Sequence, residues 1–442
     1  MIKKSQMFNL SPSAWMHIDL NSCFATIEQQ ANPLLRNKPI AVAAYTTPRG
    51  CILAPSIEAK RYGVKTGMQV QEGKQLCPRL IILPSDPAKY RFVNRALLKL
   101  FQQYSPFVTV RSIDEMLIDF SDLFIANEVR NPRNYAQITS LIKIGQEIKS
   151  RIKKEIGEWL TVSIGISTNP YLAKFAAGLH KPDGLDEINA VNIQQILAKH
   201  SLVELPYIKE KNQIRLLCTG VRTPLDFYNA SLQQLKAAFR SINGYYWYLR
   251  LHGFRIDEVE WQRCSIGHSY ALPKATDNLQ EVEQLLYKLV EKMGRRLRSN
   301  HLTAQGIHLA CNFVDGSFWH HGQSTSIRMY ASSDLFSKAC HVLTNIQPLK
   351  PVRILAVSCF ALQQDLYNQQ TLFANEEKKR SLVQALDEIN DHWGEFSVMP
   401  AAMLTVQKQN KILDRIAFGR VLDMQDVILQ SENKWERELY IE

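Results

Sequence analysis

Two adjacent acids, Asp114 and Glu115, sit among mostly apolar and β-branched residues in the run from Val108 to Phe120. Neighbouring carboxylates repel, and each raises the proton affinity of the other unless a cation neutralises them. A second apolar stretch, Met16-His17-Ile18-Asp19-Leu20-Asn21, ends near a third acid. Carboxylates delivered by two strands suit Mg²⁺, which takes a few carboxylate oxygens and keeps its waters and substrate phosphates. Asp19, Asp114 and Glu115 together can hold two such ions, a pair able to activate an attacking oxygen while steadying a leaving one. An Asp-Glu pair after an apolar run is also an ordinary hairpin tip, so the chemistry depends on the surrounding elements.

Those elements are read from periodicity and punctuation. Ser22 to Gln30 reads as a helix, Pro39 to Ala44 and Gly50 to Ala54 as strands, and Ser56 to Tyr62 as a short helix stopped by Gly63. Residues 86–104 form an amphipathic helix with Phe92, Leu97, Leu98 and Phe101 at helical spacing. Val108–Arg111 and Met116–Phe120 read as a hairpin that carries the two acids at its tip. Ile138 to Ile156 is helical and Leu160 to Ser167 a strand. A helix from Tyr171 to His180 is then broken by Lys181-Pro182-Asp183-Gly184, which marks a domain boundary. From 185 to 254 the spacing predicts short helices only, with Tyr245-Tyr246-Trp247-Tyr248 packing that module. From about 260, strands at 264–270, 303–313 and 352–361 and helices at 278–299 and 332–344 suggest the β-α-β-β-α-β order of a split βαβ unit. Residues 364–442 are polar and read as a tail with one or two helices.

A chain of 442 residues exceeds one ordinary core, so three or four domains are expected. Lys plus Arg number 53 against 42 acids, and the resulting +11 favours a polyanionic partner, nucleic acid or an anionic membrane surface, although a merely basic protein has the same balance. The eight cysteines are scattered without a C-x-x-C pair, which argues against a zinc ribbon or a disulfide framework and fits a reducing compartment. No apolar run approaches the roughly 20 residues of a membrane span. A soluble, unprocessed cytoplasmic protein is the expectation.

The Asp19 segment, Gly63-Val64-Lys65-Thr66-Gly67-Met68, Ser112-Ile113-Asp114-Glu115 and the stretch from Gly165-Ile166-Ser167-Thr168-Asn169-Pro170-Tyr171-Leu172-Ala173-Lys174 through Lys181-Pro182-Asp183-Gly184-Leu185 resemble the Y-family translesion DNA polymerases, of the bacterial polymerase IV or polymerase V catalytic-subunit kind, in order and spacing. The resemblance spans about residues 14 to 362. It implies an α+β multidomain right hand: a ferredoxin-like palm (1–22 and 86–181), small fingers (23–85), a helical thumb (182–254), a split βαβ little finger (260–362) and a C-terminal tail (363–442). It also implies a template-directed DNA polymerase of low fidelity, acting on primer–template DNA and deoxynucleoside triphosphates, performing translesion synthesis in DNA repair.

Position by position, the resemblance makes Asp19, Asp114 and Glu115 the catalytic ligands of two Mg²⁺ ions, with the carbonyl of Leu20 completing the set. Phe24 falls where an aromatic ring stacks beneath the incoming sugar and leaves no room for a 2′-hydroxyl, and Lys174 where a lysine meets the triphosphate. The fingers depart from many relatives: Ala54, Ile57 and Lys60 replace a small hydroxyl residue, a tyrosine and an arginine. Lys60 keeps a charge without the guanidinium fork. In the thumb, Leu205-Pro206-Tyr207-Ile208-Lys209 replaces a glycine-rich hairpin, with Lys209 and Lys211 as substitute cations. Lys292, Arg295, Arg296 and Arg298 of the little finger would touch backbone phosphates. Gln369, Leu372 and Phe373 resemble a sliding-clamp peptide, and 382–390 a region where accessory recombination or mutagenesis proteins bind. No second set of acids with exonuclease spacing is visible. Two other readings are a catalytically silent polymerase-like scaffold that binds clamp and DNA, which the retained acids disfavour, and another palm-type two-metal enzyme such as a nucleotide cyclase, which the little finger and clamp-like peptide disfavour.

Overall fold

A computed structural model of the chain describes residues 8–122, 140–256, 263–346, 350–365, 374–394 and 396–403. Contacts divide it after Val259 into two units, and each has its own core.

The first unit begins with β1 (Trp15–Leu20), whose near-continuous burial explains its apolar composition. It is followed by α1 (Cys23–Ala31), β2 (Ile40–Ala43), β3 (Ile52–Pro55), α2 (Ile57–Arg61), α3 (Val70–Leu76) and β4 (Ile81–Pro84). Strands β2, β3 and β4 make a small sheet in the order β3-β2-β4. Then come α4 (Pro87–Phe101), β5 (Val108–Val110), β6 (Glu115–Asp119), α5 (Leu141–Arg151), β7 (Val162–Ser167), α6 (Pro170–Leu179) and β8 (Leu185–Ile188). The main sheet has the order β5-β6-β1-β7-β8, with β1 antiparallel to both neighbours and β7 parallel to β8.

Alternation along β1 sorts its side chains. Met16, Ile18 and Leu20 enter a core with Tyr90, Leu97 and Phe101 of α4 and Ile148 of α5. Trp15 packs on the opposite side with Leu117 and Ala173, so His17 and Asp19 share that second face. The α6 backbone lies directly on β7 because Gly165 has no side chain there: a Cβ would meet the Ala173 carbonyl oxygen at 2.0 Å. That close approach fixes α6, and with it Lys174.

Residues 185–254 correct the expectation of helices only, since β8 adds a parallel edge strand to the main sheet beyond the boundary read at 181. The helices that follow are α7 (Ile193–Leu197), α8 (Glu210–Leu217), α9 (Pro224–Asn229), α10 (Leu232–Phe239) and α11 (Asn243–Leu251). They close around Phe227, Phe239 and Trp247, and Tyr171 and Phe175 of α6 belong to the same core.

The second unit contains β9 (Ser265–Thr276), α12 (Leu279–Ser299), β10 (Leu302–Phe313), β11 (Phe318–Met329), α13 (Ser332–Leu343), β12 (Val352–Gln364) and α14 (Ala374–Trp393). Its sheet is wholly antiparallel, in the order β11-β10-β12-β9. Val282, Leu286, Leu289 and Met293 of α12 and Leu335 and Val342 of α13 cover one face of the sheet. Among the described residues, no helix is long and apolar enough to cross a membrane.

Candidate active site

The antiparallel register of β1 and β6 places Asp19 directly opposite Glu115. The Leu20 amide donates to the Asp114 carbonyl at 2.9 Å, which ties the end of β1 to the hairpin tip. Within the tip, the Ser112 hydroxyl accepts the Glu115 amide at 3.0 Å and donates to the Asp114 carboxylate at 2.5 Å. Asn94 of α4 donates to the Ile113 carbonyl at 2.9 Å and so pins the tip from below. Asp114 and Glu115 are therefore held by a turn that is itself anchored.

Cations answer the clustered charge. Lys181 lies 2.6 Å from Asp19, and Lys174 of α6 engages both carboxylate oxygens of Glu115. Burial raises the proton affinity of Asp19, an effect opposed by Lys181 and reinforced by Asp114 and Glu115. Burial also lowers the pKa of Lys60 on α2, with Lys181 adding to the effect and Asp19 opposing it, so Lys60 belongs to the same electrostatic cluster.

His17 completes the group. Its Nε2 is buried without a hydrogen-bond partner, 3.8 Å from the Glu115 carboxylate. Burial, then Lys174, Lys181 and Arg111, push its pKa down to about 3, which keeps the imidazole neutral. Ligand atoms of His17, Asp19 and Glu115 all lie within 4.8 Å of one another. This donor set, hard oxygens with a neutral nitrogen behind them and ammonium groups balancing the charge, fits a divalent cation.

Phe24 projects from α1 and stacks on Tyr90 of α4, with ring centroids 4.4 Å apart and planes 13° from parallel. The Tyr90 hydroxyl donates to Glu28 at 2.9 Å, and Lys89 reaches the same carboxylate at 2.7 Å. Tyr207, in the segment that lacks the glycines, has φ 65, a left-handed conformation that glycine adopts most easily. Its ring centroid lies 6.0 Å from the Lys174 ammonium.

The structure thus gathers Asp19, Leu20, Asp114, Glu115, Lys60 and Lys174 in one region. It adds Lys181 and His17, which sequence reasoning missed. Lys181 is legible within the Lys-Pro-Asp-Gly motif, which marks a helix break and belongs to the resembling segments, but no role is assigned to it there. His17 was hidden in an apolar run, where its signal was the two-residue spacing from Asp19 along a strand.

The cations of the basic segment on α12 have partners within their own unit. Arg298 forms a two-point pair with Asp387 of α14 at 2.6 and 2.8 Å, and Arg295 pairs with Asp391 at 2.5 Å. Arg296 donates to the Gly267 carbonyl at 3.0 Å, and Lys292 lies 5.7 Å from the centre of the Phe396 ring. Gln369, Leu372 and Phe373 fall outside the described residues. The segment 382–390 is part of α14.

Residues 18–178 match the model of the impB/mucB/samB family, and residues 263–372 match the impB/mucB/samB family C-terminal domain. A DNA polymerase IV of Pelotomaculum thermopropionicum is 30% identical over 393 residues, covering 88% of this chain and 94% of that one. DNA polymerase IV 1 of Bacillus subtilis is 29% identical over 400 residues, covering 88% and 92%. Among solved structures, a chimeric Y-family DNA polymerase superposes with a TM-score of 0.67 at 22% identity, over 79% of this chain and 99% of that one.

Proposed function

Since the chain belongs to the impB/mucB/samB family, the Y-family DNA polymerases, and is a DNA-directed DNA polymerase, we propose that it extends a primer 3′-hydroxyl by two-metal nucleotidyl transfer at Asp19, Asp114 and Glu115. The observation that carries this reading is the cross-strand pairing of Asp19 with Glu115, beside Asp114 and under Lys181 and Lys174. Asp19, Asp114, Glu115 and the Leu20 carbonyl would hold two Mg²⁺ ions. When bound, the ions lower the pKa of the attacking hydroxyl and neutralise the triphosphate during in-line displacement.

The protein's own groups do the rest. Lys174 and Lys181 leave their carboxylates and turn to the phosphates, with Lys60 supplying a third charge from the fingers. Phe24, backed by Tyr90, closes the space beneath the sugar and excludes a 2′-hydroxyl. The chain would act in DNA repair by translesion synthesis, as the likeness to polymerase IV proteins supports, and dock on a sliding clamp through Gln369, Leu372 and Phe373. The 382–390 stretch of α14 would meet accessory proteins. Direct phosphate contact by the α12 cations would first need α14 to let go.

Primer extension with Mg²⁺ on a defined template tests the reaction. Asp114→Ala should lower the rate by about a hundredfold to a thousandfold or more, the scale for losing a group that organises transition-state charge. Extension at the parental rate would remove Asp114 from the mechanism, and with it the two-metal reading.

A further inference from the structure

We propose that His308 and His320 form a binding site for a divalent transition cation, zinc by preference, on the open face of the second unit's sheet. The site lies in the unit that contains none of Asp19, Asp114 and Glu115.

The argument starts from strand register. On the antiparallel β10–β11 pair His308 faces Gly322, and Ala310 faces His320. Each histidine therefore has a small residue opposite it, and the two rings occupy diagonal positions on one face of the ladder. Gly322 is what gives the His308 ring its room: a Cβ there would come within 3.2 Å of His308 Cδ2. The rings lean into the space so created until His308 Nε2 and His320 Nδ1 stand 3.2 Å apart. Two nitrogens bound to one tetrahedral zinc at about 2.0–2.1 Å each are separated by about 3.3 Å, so the pair already has the span of a chelate.

Phe318 flanks His320 with ring centroids 5.3 Å apart and limits where that ring can swing. His320 and most of β11 are exposed, so water reaches the face and can fill the remaining coordination positions. Two imidazoles without a carboxylate select borderline cations over Mg²⁺, which prefers oxygen. His321 lies on the other face of β11 by alternation, so it is not counted as a ligand.

The full chain should be titrated with Zn²⁺ by calorimetry in excess Mg²⁺, which occupies the carboxylate site. The parent should take up one more equivalent of zinc than the double variant His308→Asn, His320→Gln. Each single variant should weaken that binding by at least about tenfold, while His321→Asn leaves it unchanged. The substitutions, one exposed and one half-buried, should leave the melting temperature and Mg²⁺-dependent primer extension at parental values. Equal stoichiometry and affinity in parent and double variant, no saturable zinc binding by the parent, or loss of the site in His321→Asn alone would each overturn the proposal and leave the pair as a hydrogen bond.

Discussion

Tyr90 has no exposed surface, yet one of its faces carries Phe24 and its hydroxyl is spent on Glu28. The Phe24 ring, proposed to lie beneath the sugar, is thus set by a stack and a buried hydrogen bond together. Tyr90→Phe keeps the stack and should leave discrimination between deoxyribo- and ribonucleotides close to parental. Tyr90→Leu removes the ring and should lower the ratio of kcat/KM values by about tenfold, roughly the effect of loosening one well-packed contact. An unchanged ratio in Tyr90→Leu would mean that Phe24 is held by something else. Lys181 poses a complementary question, because its ammonium sits on Asp19 and beside Lys60. If it transfers to the triphosphate, Lys181→Ala should raise KM for nucleotide about tenfold or more, since a hydrogen bond to a charged group contributes about 1.5–3 kcal/mol. Lys181→Arg should recover part of the loss, and parental KM values in Lys181→Ala would exclude the transfer. The acids were readable in the sequence because carboxylates in apolar strands conflict with their surroundings. Lys181 and His17 are visible in their motifs but not as partners of the acids, because nothing in a turn motif or an apolar run announces a partner that comes from another strand.

Elements declared themselves where one face is buried. The hairpin carrying Asp114 and Glu115 appears as β5 and β6, and the helix read at 86–104 as α4 at Pro87–Phe101, because Met116, Leu117 and Ile118 and the Val93, Leu97, Phe101 face of α4 are buried, although Phe92 is exposed. β8 escaped notice since Leu185-Asp186-Glu187-Ile188 is four residues long with two acids at its centre. β11 did so because an edge strand with eight exposed positions among its twelve residues has no apolar periodicity to read. Packing at the end of α11 leads to a pH prediction. His252 is buried and lies between Tyr228 and Tyr248, with centroids at 4.6 and 4.3 Å. Its Nδ1 is 2.7 Å from the Tyr248 carbonyl and its Nε2 has no hydrogen-bond partner, so a second ring proton has no acceptor. Burial accordingly lowers its pKa, against the Tyr248 hydrogen bond. The unfolded chain then binds a proton near pH 6.5 that the folded chain refuses. Stability is complete above that pH and falls as acid is added, by up to about 1.4 kcal/mol per pH unit until the lowered folded pKa is reached. Denaturant midpoints between about pH 7.5 and about pH 5.5 should drop more for the parent than for His252→Phe. Equal drops would assign the acid sensitivity to other groups.

For the molecule as a whole, a net charge of +11 argues for a polyanionic partner, but charge counted from sequence is not charge available to phosphates. The run from Lys292 to Arg298 is a dense basic segment, and the fold pairs its cations within their own unit. Asp387 and Asp391 of α14 hold Arg298 and Arg295, while Lys379 and Arg380 of α14 pair with Asp334 and Asp365. With charges of both signs exchanged across it, this contact fastens α14 to its unit. Were three guanidiniums on phosphates, Arg295→Gln, Arg296→Gln and Arg298→Gln together would make the slope of log affinity against log salt shallower by about 2.7. The geometry predicts instead a slope close to parental and a lower melting temperature, because Asp387, at 21% side-chain exposure, loses its two-point partner. Fluorescence anisotropy on primer–template DNA over a salt series, alongside thermal unfolding, measures both quantities. A shallower slope at an unchanged melting temperature would show that these arginines reach the DNA and that α14 is not fastened by them.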